Sequence, residues 1–145
     1  MVSYKAPSEF EQEHYYDGLK FSPRLVARTS TDAWDPATRK LLLNTARGHR
    51  ALNLWNDPAM VLVKKIQLEL CERGVSFTSI GLWRIGYSHD FAPSRRAPPV
   101  VLITVRRGST SWKEGLEAAL GCKAVLEQYG VADVHCEVRE PLQES

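Results

Sequence analysis

Val100-Val101-Leu102-Ile103-Thr104-Val105 is apolar on both parities of an extended chain. Successive side chains of a strand point to opposite faces, so such a stretch is stable only where both faces are covered. The chain must therefore build a sheet with material packed on each side of this strand. Its 145 residues suffice to do so as one domain without disulfides or metals. The composition, 43% hydrophobic and 25% charged, is that of an ordinary globular chain.

The remaining elements are set by local chemistry. The first twenty residues lack periodicity and read as an N-terminal arm, whose Phe10, Tyr15 and Tyr16 favour docking onto the body formed by residues 21–145. Arg24-Leu25-Val26-Ala27-Arg28-Thr29 predicts a short strand, closed by the turn formers Ser30-Thr31-Asp32. Asp35-Pro36 and Asp57-Pro58 each place an acceptor before a residue with pre-set φ, predicting helices over 36–47 and 58–73, the first carrying Leu41, Leu42 and Leu43. The second has Leu62, Val63, Ile66 and Leu70 on one stripe and ends at Gly74.

Residues 75–87 are β-rich, with Val75, Phe77, Trp83, Ile85 and Tyr87 on one parity, which predicts a long strand bulged at Gly81. A loop with three prolines and Arg95-Arg96 separates it from the doubly apolar strand. Ser111-Trp112-Lys113-Glu114 fits a capping box and opens a helix that runs to Gly130. Residues 133–140 alternate Val134, Cys136 and Val138 against His135, Glu137 and Arg139, the pattern of an edge strand with one wet face.

In order, these elements contain β-α-β-β-α-β, the ferredoxin-like split βαβ arrangement of an α+β domain, with an inserted helix after the first strand and the N-terminal arm. In that topology the third strand is central and the second and fourth are edges. Val26-Ala27-Arg28-Thr29-Ser30-Thr31, Trp83-Arg84-Ile85-Gly86-Tyr87, Pro99-Val100-Val101-Leu102 and Cys136-Glu137-Val138-Arg139-Glu140 together resemble a family of small fungal proteins with no assigned reaction. The resemblance spans most of the chain from Phe21 onward. It implies no activity, cofactor or catalytic residue.

Charge and cysteine usage exclude several classes. A net charge of +2, from 19 basic and 17 acidic residues, is too weak to point to nucleic acid or an anionic membrane surface. No apolar run approaches the roughly 20 residues a bilayer span needs. Cys71, Cys122 and Cys136 are odd in number, sit in apolar periodic stretches and have no metal-ligand spacing, so they read as free thiols of a reducing compartment, cytoplasm or nucleus. The N-terminus lacks the layout of a secretory signal. No cofactor or metal motif occurs.

Three clusters could carry function. His135, Glu137 and Arg139 would line one sheet face about 7 Å apart, a spacing at which acid, base and anion clamp could share a ligand, with Arg84 as a further polar group of the open face. The alternative is a solvated outer face. Arg47, His49 and Arg50 form a basic turn suited to phosphate or carboxylate, although cations at a helix C-terminus need no ligand. Trp34 and Trp55 precede the Asp-Pro starts as packing staples, whereas Trp83 lies on a face that must be covered by the arm, a partner or a ligand. Two readings result. One is a non-enzymatic binding or assembly module, with homodimerisation through sheet face or edge. The other is a small enzyme or ligand-binding protein with a pocket on the open face. A cavity holding those side chains favours the second, and an arm-covered face favours the first.

Overall fold

The computed structural model describes residues 3–19, 22–37, 40–87 and 99–142. It is an α+β structure with elements in the order α1 (Glu9–His14), β1 (Arg24–Arg28), β2 (Lys40–Thr45), α2 (Arg50–Trp55), α3 (Val61–Glu72), β3 (Phe77–Tyr87), β4 (Val100–Val105), α4 (Trp112–Gln128) and β5 (His135–Glu140). One five-stranded sheet runs β1-β5-β4-β3-β2. Only β4 and β5 are parallel, and α4 makes the crossover such a pair requires.

β4 is central, as its double apolarity demands. Val101, Ile103 and Val105 face a core built with α3 and α4, while Leu102 and Val100 face a second cluster with Tyr15, Tyr16, Leu19 and Leu25. The arm is therefore the cover of the second face. Ser8 caps α1 by accepting from Glu11 N, and α1 packs on β1. The capping box at Ser111 is present, with Ser111 Oγ accepting from Glu114 N and the Glu114 carboxylate accepting from Ser111 N.

Four expectations are corrected. First, the described residues of 36–47 do not form the expected helix: the Asp35 carboxylate accepts from Ala37 N in a turn, and Lys40–Thr45 pairs antiparallel with β3. Leu41-Leu42-Leu43 is too short an apolar run to separate the two states, and a sheet edge at residues 83–87 offers it a ladder. Second, Asp57 closes a turn on Ala59 N, and α3 starts only at Val61 behind Met60 in the left-handed region (φ 54°).

Third, the strand order departs from the ferredoxin-like one. The first strand, expected between the third and fourth, is instead an edge paired with β5, which sits inside between β1 and β4. The alternation of β5 misleads because its polar parity meets the arm's hydroxyls rather than water. Fourth, the ladder shifts between Phe77 and Ser79, not at Gly81. That shift breaks the single parity expected of this strand: Phe77, Ile80 and Leu82 pack on the helix side and Trp83 on the arm side. Gly81 serves close approach instead. A Cβ there would collide with Nε1 of the Trp83 indole.

Candidate functional site

β5 brings His135, Glu137 and Arg139 to the arm-side face, as the sequence suggested. Glu137 is only 3% exposed, yet its carboxylate is satisfied from above. The two tyrosines that follow α1 straddle it: Tyr15 Oη donates to Oε2 at 3.0 Å and Tyr16 Oη to Oε1 at 2.6 Å. Their rings meet edge to face, 5.0 Å apart at 85°, so both hydroxyls converge on one group. Burial, and then the negative charge of Glu137, hold Tyr16 protonated by pushing its pKa well above the usual tyrosine value.

Cations frame this pair. The Arg28 guanidinium lies 5.2 Å from the Tyr15 ring centroid and that of Arg139 5.8 Å from Tyr16. Arg139 Nε also donates to Thr104 Oγ1 at 3.1 Å, and Arg28 Nε to Glu11 of the arm at 3.3 Å. Arg24 holds Gln12 through a further hydrogen bond. The arm is thus fastened by buried charge-assisted bonds at its centre and by guanidinium contacts along its flank.

His135 is tied into the β1–β5 junction. Its Nδ1 lies 2.8 Å from Thr29 Oγ1, which accepts from Cys136 N at 3.0 Å. Burial, reinforced by nearby Lys123, lowers the His135 pKa and favours the neutral ring. The neutral ring accepts the Thr29 hydroxyl proton in its Nε2–H tautomer and donates to Thr29 Oγ1 in its Nδ1–H tautomer. Arg84, expected beside these three, projects on the other side of the sheet by strand alternation from Trp83. It is buried, and its Nη2 donates to the carbonyl of Arg47 at 3.3 Å.

The basic turn lies at a helix start rather than a helix end. His49 is the N-cap of α2, with Nδ1 accepting from Ala51 N at 3.0 Å, which leaves Nε2–H to donate to Asp133 at 2.9 Å. That bond lowers the Asp133 pKa. Arg50 reaches the C-terminal end of α4, donating to the carbonyls of Tyr129 and Gly130 at 3.2 and 3.3 Å, where the helix dipole favours a cation. His49 and Arg50 therefore tie α2 to the α4–β5 turn, and the Arg47 carbonyl anchors Arg84. The Arg95-Arg96 pair lies outside the described residues.

Two concavities stand out elsewhere. One, of about 500 Å³, lies between the arm's first residues and the Ser30–Trp34 turn. Its half-buried cation, Arg28, is already shared between Glu11 and Asp32, and the indole N–H of Trp34 is buried at its wall with no acceptor among the described residues. The second is an open groove of about 620 Å³ between the α2–α3 turn, the flank of α3 and the start of β3, walled by Trp55, Met60, Val63, Phe77 and Ile80. It lies beside residues 77–82 of β3, because β2 pairs only with residues 83–87. Reading β2 as a helix hides this feature. Its legible signal is the uncharged run Phe77-Thr78-Ser79-Ile80-Gly81-Leu82.

Among the described residues no group of three metal-ligating side chains converges, and no helix is long and apolar enough to cross a membrane. Cys71, Cys122 and Cys136 are unbonded to one another. Comparison with family models, with curated proteins and with solved structures finds no match.

Proposed function

We propose that this chain is a non-enzymatic binding or assembly module rather than a small enzyme with a pocket on its sheet. The supporting observation is the occupation of Glu137 by Tyr15 and Tyr16: the carboxylate of the sheet face is spent on fastening the arm. A base that accepts two buried hydroxyls, and a histidine bonded to a buried threonine, serve cohesion in this arrangement. The unbonded thiols fit a reducing compartment, cytoplasm or nucleus.

Native-state hydrogen exchange on the arm tests the reading. As a fixed cover, the arm protects the amides of Tyr15 and Leu19 with a free energy close to that of global unfolding. Exchange through a local opening several kcal/mol cheaper than unfolding would make the arm a lid over Glu137 and Arg139, and would favour the ligand-pocket alternative.

A further inference from the structure

β1 and β2 are the edge strands of the sheet, and β3 becomes an edge only where β2 stops. β1 carries Arg24 and Arg28 at its ends and has α1 packed against it. Charged side chains and a covering element are common ways of keeping an edge from pairing. Residues 77–82 of β3 have neither device. On the side that β2 occupies further along, no strand pairs with them among the described residues, and the segment contains no charge and no proline. Every second residue of an antiparallel strand turns both its N–H and its C=O outward, so this edge presents a row of backbone donors and acceptors. The ladder shift at Phe77 leaves the stretch from Ser79 onward as its regular part.

Beside that row lies the groove walled by Trp55, Met60 and Val63, and α3 also exposes Val61 and Leu68. A strand added here would direct alternate side chains into the apolar groove while its backbone completes the sheet. Space decides what can enter. Thr45, the last residue of β2, stands opposite Trp83 and in line with any incoming strand, while the α2–α3 turn bounds the groove. A short extended segment fits between these limits. A second whole copy, meeting edge to edge, would bring its own β2 into line with the chain that enters β3 at Ser76.

We infer that the open edge of β3 takes an extended peptide of a partner protein as an added β-strand, with apolar side chains of one parity seated against Met60, Val63 and Trp55. This deepens the module reading and rests on it. Backbone hydrogen bonds would supply affinity and the groove would supply side-chain selectivity.

The test uses the full chain and an immobilised library of ten-residue peptides that alternate apolar and polar positions. The tightest binder is then compared by calorimetry with two versions N-methylated on alternate residues, one for each parity. The expected result is a loss of at least tenfold in affinity for one parity only, with exchange slowed in the amides of residues 77–82. Met60→Asp weakens binding by a similar factor, and the methylated pair keeps the test decisive should that variant fold poorly. Absence of any binder at millimolar peptide, equal affinity for both methylated forms, or protection confined to another surface would overturn the inference. So would protection of residues 77–82 that grows with protein concentration alone, since a second copy would then hold the edge. Arm exchange is a separate readout: a protected arm with no peptide bound removes this site and leaves the module reading standing, whereas an opening arm removes the module reading whatever the peptides do.

Discussion

Tyr16→Phe isolates the bond that fastens the arm. Tyr16 is fully buried, its hydroxyl lies 2.6 Å from Glu137 Oε1, and the carboxylate is itself 3% exposed, so water cannot readily replace the lost donor. A hydrogen bond to a charged group contributes roughly 1.5–3 kcal/mol, and the acceptor retains Tyr15 on its other oxygen, so the variant should lose about 2 kcal/mol. In urea this appears as a lower midpoint at unchanged slope, and on heating as a fall of roughly 4–8 °C for a chain of this size. pH provides a second readout. The pKa of Tyr16 is raised in the folded state, so its contribution is fully present below the unfolded value of 10.0 and is lost as pH rises from there through the folded value. The gap between wild type and Tyr16→Phe should therefore narrow above pH 10. A loss below about 0.5 kcal/mol, or a gap unchanged by alkali, would refute the claim that this hydroxyl holds the arm.

Leu102→Ala and Ile103→Ala should each cost about 2–5 kcal/mol, because the two residues are 1% and 0% exposed on opposite faces of β4. Denaturant midpoints should give both losses independently of protein concentration, since the cover over Leu102 belongs to the same chain. Ser111→Ala should lose about 1 kcal/mol with its capping box, whereas Asp57→Ala, which opens only an exposed turn, should lose less than about 0.5 kcal/mol by the same assay. Thiol labelling of the native protein should modify Cys71 first. Cys122, pushed up to about 12 by burial, and Cys136, raised well above the usual thiol value by burial, should react only on unfolding, and a mass spectrum showing equal labelling would contradict their placement.

Elements were legible where one physical cause determined them. The double apolarity of β4 and the capping box of α4 each admit a single solution, and the structure adopts both. The errors share another cause: Asp-Pro supplies an acceptor and a fixed φ, and a turn can use these as well as a helix can. At Asp35 and Asp57 the acceptor closes a turn on the residue two positions on. Partners distant in sequence then decide the state of the chain beyond each turn. Lys40–Thr45 became a strand because residues 83–87 offered a ladder, a fact that no window around residue 40 contains.

The same reasoning explains the candidate site. Alternation along β5 correctly placed His135, Glu137 and Arg139 on one face, but a polar parity is equally compatible with water, a ligand or the chain's own hydroxyls. Only the arrival of Tyr15 and Tyr16, more than a hundred positions earlier, distinguishes these cases. Arg84 was misplaced because it directly follows Trp83 of β3, which does lie on the arm side, and adjacent residues of a strand point to opposite faces. That strand also carries the unpaired edge, whose existence depends on where β2 stops. Had β2 continued past Thr45 along residues 77–82, the groove beside α3 would be closed by the protein itself. Because the chain instead turns at Gly48 into α2, with His49 capping the new helix, no strand among the described residues lies beside 77–82 on that side.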